Sequence, residues 1–122
     1  MKHDEYIICC KIAGMLDTVQ LANPGMRYTH VPLEEADKMR AIHEEKMGVR
    51  KGCPDFLVFW NPPVAMEVKT ANGATSKEQR AWLVDLERSG WRTAIVRSSS
   101  DAMRFLRSVY GARLDGEGVE EL

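Results

Sequence analysis

Three cysteines in 122 residues, with no CxxC spacing, give no basis for a disulfide framework or a zinc knuckle. Cys9, Cys10 and Cys53 are expected to be reduced thiols packed as small apolar side chains. Long apolar runs are missing too. None exceeds five residues, as in Tyr6–Cys10, against the roughly 20 that a membrane span needs. No basic stretch leading into a long apolar segment opens the chain, so no signal peptide is read and a cytoplasmic location is expected. Internal repeats and low-complexity stretches are absent as well. Charge of one sign is also scarce: 17 Lys and Arg face 18 Asp and Glu, a net charge of −1.

What is present is an ordinary globular composition. Apolar residues make up 44% and charged residues 29%, enough apolar surface to fold and too much for a disordered chain. The charge is unevenly placed, because Asp115, Glu117, Glu120 and Glu121 crowd the last eight residues. Without them 17 bases stand against 14 acids, a body of +3. One domain over 1–114 and a flexible acidic tail over 115–122 are expected. A mildly basic body permits nucleic-acid binding without requiring it.

The pattern along the chain predicts an α/β order. A first helix over 5–20 carries Cys9, Ile12, Ala13 and Leu16 on one stripe, and Asn23-Pro24-Gly25 ends it. Ile8, Met15 and Val19 form a second stripe beside it. Met26–Val31 reads as a strand. Pro32 opens a helix over 32–47 with Leu33, Ala36, Met39 and Ile42 inward, and Glu34, Glu35, Lys38 and Glu45 solvated. Two β-prone runs, Asp55–Trp60 and Val64–Lys69, flank Asn61-Pro62-Pro63 as a hairpin. Pairing Trp60 with Val64 sets Leu57 opposite Glu67 and Asp55 opposite Lys69. Asp55, Glu67 and Lys69 then share one face, and Phe56, Val58, Trp60, Val64, Met66 and Val68 share the other.

Ser76-x-x-Gln79 has the form of a capping box opening a helix to Ser89, with Gln79, Trp82, Leu83 and Leu86 inward. Trp91–Arg97 is a strand. Ser99 or Ser100 caps a last helix carrying Ala102, Phe105, Leu106, Val109 and Tyr110. The order α-β-α-β-β-α-β-α implies a central mixed sheet flanked by helices.

Two carboxylates and an amine at strand ends have a chemical use. Asp55 and Glu67, with the backbone carbonyl of Val68, supply the oxygen ligands that Mg²⁺ takes. Lys69 is placed to hold the attacking water or to neutralise charge building on a phosphate, and Gln79 to orient that water or to contact the phosphate. A plain Asp55–Lys69 ion pair would give the same letters. Arg27, Arg50, Lys51, Lys77 and Arg80 bracket the site in sequence and are candidate phosphate contacts. His30 lies near it on the first strand but lacks a partner at ligand spacing.

Gly48-Val-Arg-Lys-Gly-Cys-Pro-Asp55, Met66-Glu-Val-Lys69 and Gly73-Ala-Thr-Ser-Lys-Glu-Gln79 resemble the VRR-NUC (virus-type replication-repair nuclease) domain of the PD-(D/E)XK nuclease superfamily. The likeness runs from about Met26 to Leu106. It implies a restriction-endonuclease-like core and Mg²⁺- or Mn²⁺-dependent cleavage of DNA by Asp55, Glu67, Lys69 and Gln79. It also implies a metal-proximal Glu from the first helix, for which Glu5 is the candidate and Asp4 the competitor. Stand-alone relatives that dimerise and resolve four-way junctions make a homodimer on branched DNA the expected assembly, with the Ile8–Met15–Val19 stripe as its interface. Phage-encoded action in a bacterial host, in replication, repair or recombination, is a further expectation. No organic cofactor or membrane is expected. Two other readings stay open: a nuclease-fold module that binds DNA without cutting, and a small regulatory protein with a structural Asp55–Lys69 pair.

Overall fold

A computed structural model describes residues 3–31 and 38–116. The elements run α1 (His3–Ala22), β1 (Arg27–His30), α2 (Lys38–Lys46), β2 (Phe56–Phe59), β3 (Val64–Val68), α3 (Lys77–Arg88), β4 (Arg92–Val96) and α4 (Ser99–Tyr110). A short 3-10 turn, Gly111–Asp115, follows. The four strands form one sheet in the order β1-β2-β3-β4, antiparallel at β1–β2 and β2–β3 and parallel at β3–β4. Joining two parallel strands requires a crossover, and α3 supplies it. The sheet is mixed and helix-flanked, as the order of elements predicts. Among the described residues no helix is long and apolar enough to cross a membrane.

The hairpin pairs two residues out of the expected register. Val58 faces Val64, Leu57 faces Ala65 and Phe56 faces Met66. Pro62 and Pro63 have no N–H to give, so the ladder starts further from the turn and residues 59–63 form the connection. A slip of two keeps every side chain on its face. Phe56, Val58, Val64, Met66 and Val68 are therefore buried as expected, and Trp60 is half-buried against them. Continued by one residue, the ladder sets Asp55 beside Glu67 rather than Lys69.

The main core lies between this sheet face and helices α1 and α4. Cys9, Ile12, Leu16 and Val19 of α1 meet Ala102, Leu106 and Tyr110 of α4 over the strands. Each large apolar side chain so buried contributes roughly 1.5–3 kcal/mol. Val19 belongs to this core, with Ile8 and Met15 partly buried against it, so the second stripe of α1 does not form a free interface. Asn23 closes α1, its amide donating to the Val19 carbonyl at 3.1 Å and the Leu114 carbonyl at 3.0 Å. Asp115, assigned by sequence to the tail, pairs with Arg107 at 2.9 Å.

Two further expectations are corrected. Met39 and Ile42 are exposed, not inward. The nine residues of α2 hold too little apolar surface to dock a helix, and among the described residues no element packs closely on it. Leu33 and Ala36 lie outside the described residues. The cap of α4 is Ser98, one residue ahead of the two candidates, its hydroxyl accepting from the Asp101 N–H. Of the thiols, Cys9 is buried and Cys53 half-buried, but Cys10 is exposed.

Candidate functional site

Asp55 stands one residue before β2, and Pro54 ahead of it is fully buried. Its backbone carbonyl accepts from the Val31 N–H at 2.7 Å, continuing the β1–β2 ladder. Its side-chain Oδ2 accepts from the Val68 N–H, also at 2.7 Å. This second bond fastens the carboxylate to the strand that carries Glu67.

Glu67 is 2% exposed, which for a carboxylate demands partners. One oxygen has them. Oε2 accepts from Gln79 Nε2 at 3.0 Å and lies 3.3 Å from Lys69 Nζ. The other oxygen, Oε1, is buried without a hydrogen-bond partner among the described residues. Burial first, then the negative charge of Asp55, pushes the Glu67 carboxyl up to about 8 against the pull of the Lys69 ammonium, and the hydrogen bond that protonated Glu67 gives to Asp55 adds to the rise. Asp55 is raised as well, chiefly by burial, with the Val68 N–H opposing the shift.

Gln79 is placed by the start of α3. Ser76 caps that helix: its hydroxyl accepts from the Gln79 N–H at 3.1 Å, and Gln79 Oε1 accepts from the Ser76 N–H at 2.9 Å. The capping box read from the sequence is thus formed, and it frees the amide nitrogen to face Glu67. Capping and site contact are held by one side chain.

Asp55, Glu67, Lys69 and Gln79 are therefore brought together, with Val68 linking the first two. Glu5, half-buried in the first turn of α1, lies within electrostatic reach of Asp55. Among the described residues no three His, Cys, Asp or Glu side chains converge as a ready metal cage. Lys51 and Lys77 are exposed near Glu78, whose carboxyl is lowered first by its own backbone N–H and in smaller part by these two charges. Arg80 donates to the Thr75 carbonyl at 2.6 Å, and Arg50 to the Glu45 carbonyl at 2.9 Å. Arg27 stands at the far end of β1, opposite Phe59, three residues from His30.

Sequence reading set His30 near the pair but did not bring Cys9 or Arg97 there. The Cys9 thiol is pushed up to about 12, first by burial and then by Asp55, Glu5 and Glu67, which keeps it protonated and inert. His30 stacks on Phe56 at 4.8 Å, and its Nε2 is buried without a partner among the described residues. Arg97 donates to the carbonyls of Thr70 and Gly73, at 2.6 and 2.8 Å, holding the loop that leaves Lys69. No local motif marks Arg97. A residue just past the end of β4 reaching back to the loop after β3 is visible only in three dimensions.

A model of the VRR-NUC domain matches residues 16–100, a span that includes Asp55, Glu67, Lys69 and Gln79 and begins after Glu5. Among solved structures, a "VRR_NUC domain protein" superposes with a TM-score of 0.59. That alignment covers 85% of this chain and 92% of the other at 16% identity, a likeness of fold. No curated protein matches the sequence. With the mixed sheet, the strand-end carboxylates and a family match over most of its length, the chain belongs to the VRR-NUC family and is a nuclease-type domain with a restriction-endonuclease-like α/β fold.

Proposed function

We propose that this protein is a divalent-cation-dependent DNA endonuclease acting on branched DNA. The observation that carries the reading is the buried Glu67 carboxyl, whose Oε1 meets no donor among the described residues and which stands against a second carboxyl, Asp55. Once both are ionised the two groups repel, and a cation held by Asp55 and Glu67 would relieve that repulsion in place of the proton. The donors are all oxygens, with Val68 offering a backbone carbonyl beside Asp55 and Glu67, a set that suits Mg²⁺ or Mn²⁺ rather than a softer metal. Glu5 is a further candidate oxygen donor from α1. When bound, the cation activates a water and screens charge on the scissile phosphate.

The protein's own groups do the rest. Lys69, its side chain 12% exposed, holds a fixed ammonium at the edge of the pair. An ammonium held there, already desolvated, stabilises the phosphate as charge builds on it. Gln79 keeps Glu67 in place. Lys51 and Lys77 flank the entrance to α3 and contact phosphates beside the cut, with Arg50 and Arg80 next to them and Arg27 further along the strand. The test is incubation with forked, flapped and four-way DNA in Mg²⁺, Mn²⁺, Ca²⁺ or EDTA. Cuts at branch points that need Mg²⁺ or Mn²⁺ are expected. Lys69→Ala should keep Mn²⁺ binding but slow turnover roughly 100-fold. Cation binding lost together with turnover would make Lys69 structural, and wild-type protein that binds a junction without cutting it would make the domain a binding module.

One carboxylate pair serves one strand, so paired cuts need two copies related by a two-fold axis. Apolar surface for that contact is offered by α2 and the residues just beyond it, where four exposed apolar side chains fall within eleven residues. Met39 and Ile42 are exposed there with Met47 and Val49, and Ile42 lines an open hollow with Glu45, Lys46 and Arg50. Light scattering at micromolar concentration should find a dimer, and Ile42→Glu should return it to a monomer with Mn²⁺ binding intact. A wild-type monomer that nicks one strand would remove the paired-cut reading.

A further inference from the structure

Asp55 is delivered to the site by the loop Lys51-Gly52-Cys53-Pro54, and that loop rests on the first turn of α3. Gly52 makes the approach possible. Its φ is +92°, a left-handed conformation that favours glycine. A Cβ at this position would stand 2.8 Å from the Glu78 carbonyl carbon and 3.0 Å from the Gln79 nitrogen, with no room to spare. One residue earlier, the Lys51 carbonyl accepts from Trp82 Nε1 at 3.0 Å. Trp82 is three residues beyond Gln79 and shares its inward stripe, so both project from one side of the same helix end. Gln79 holds Glu67 and Trp82 holds the loop that ends in Asp55. Both carboxylates are thus referenced to a single rigid element.

We propose that Trp82 is a positioning residue: through the Lys51 carbonyl and the Gly52 contact, it sets where Asp55 stands relative to Glu67. This rests on the reading of the pair as a cation site, although its consequence for Asp55 is visible without a cation. The Val68 N–H is bonded to Asp55 Oδ2, so its amide exchange reports whether Asp55 is in place. Trp82→Phe removes the N–H and keeps an aromatic ring at the same position. Leu86→Ala trims the same helix stripe away from the loop and serves as the control.

In cation-free Trp82→Phe, Val68 exchange should quicken about tenfold while the melting temperature stays near that of the wild type. Mn²⁺ affinity by calorimetry should fall about tenfold, in line with other groups that orient ligands, and turnover at saturating Mn²⁺ should stay within about twofold. Leu86→Ala should lower the melting temperature and leave both Val68 exchange and Mn²⁺ affinity alone. Gly52→Ala, if it folds, should exceed Trp82→Phe in both readouts. Wild-type exchange at Val68 in Trp82→Phe overturns the proposal whatever the protein does to DNA. Equal effects from Leu86→Ala would overturn it too, by showing general loosening. Failure of the wild type to bind Mn²⁺ would overturn the cation site instead, with Val68 exchange still deciding the role of Trp82.

Discussion

Glu67→Gln is expected to abolish cleavage and, in the absence of cations, to raise the melting temperature. The two effects share a cause. Glu67 is buried, one of its oxygens meets no donor among the described residues, and when it ionises it faces the like charge of Asp55. A glutamine removes the charge, keeps an oxygen for Gln79 Nε2 and turns an N–H₂ toward Asp55. What is lost is a ligand, and what is gained is an unstrained interior. The pH dependence has a definite sign. The folded-state carboxyl is raised from its usual 4.5 to about 8, so the native protein holds the extra proton across that window. Cation-free wild type therefore loses stability as pH rises from about 5 to 8, at most about 1.4 kcal/mol per pH unit, and the variant does not.

Melting curves in EDTA at pH 5, 6.5 and 8 test this directly. The variant's advantage should grow with pH and reach about 5 °C or more at pH 8. Added Mn²⁺ should then stabilise the wild type and leave the variant unmoved, since only a ligand bound by the native state shifts its melting point. A variant that melts below the wild type at pH 8 would mean that Lys69 and Gln79 already satisfy Glu67 and that no cation is called for.

The balance of legible and illegible features follows from how far each signal reaches along the chain. Period-two alternation is local, so the apolar face of Phe56, Val58, Val64, Met66 and Val68 is legible in the sequence alone. The Ser76–Gln79 cap is local for the same reason, and it sets Gln79 at the site. The register is not legible at the same level, because two prolines move the start of the ladder without changing which face a residue takes. That difference matters chemically. It puts Asp55 beside Glu67, making the pair one of like charges, where the expected register would have made it an Asp55–Lys69 ion pair. The helix α2 departs from expectation for an opposite reason: its spacing is helical, but spacing says nothing of whether a partner surface exists to cover Met39 and Ile42. Contacts such as Trp82 to Lys51 join residues 31 apart and leave no trace in either segment.

Asp55→Ala should move stability in the direction opposite to Glu67→Gln, although the two residues are neighbours and cleavage is lost in both. The site is not a solvent-facing pair of ligands that can be trimmed without consequence. Asp55 Oδ2 accepts the Val68 N–H at 2.7 Å, and Val68 is 2% exposed, so water cannot readily replace the missing oxygen. A buried backbone donor left without a partner costs about 1–3 kcal/mol. Relief of the repulsion on Glu67 offsets part of that cost in the cation-free protein, and offsets more at pH 8 than at pH 5. Asp55→Asn separates the two contributions. Its amide oxygen still accepts from Val68 while the charge is gone, so it should be as stable as the wild type or more so, and equally inactive. Urea unfolding of the three proteins in EDTA at pH 5 should rank Asp55→Asn above Asp55→Ala by about 1 kcal/mol or more. Val68 amide exchange should be fast only in Asp55→Ala. Cleavage by either variant at the wild-type rate would remove Asp55 from the chemistry. Equal stability of the alanine and asparagine variants would mean that the Asp55–Val68 bond holds nothing together, and that β3 owes its place to its strand ladders and apolar face.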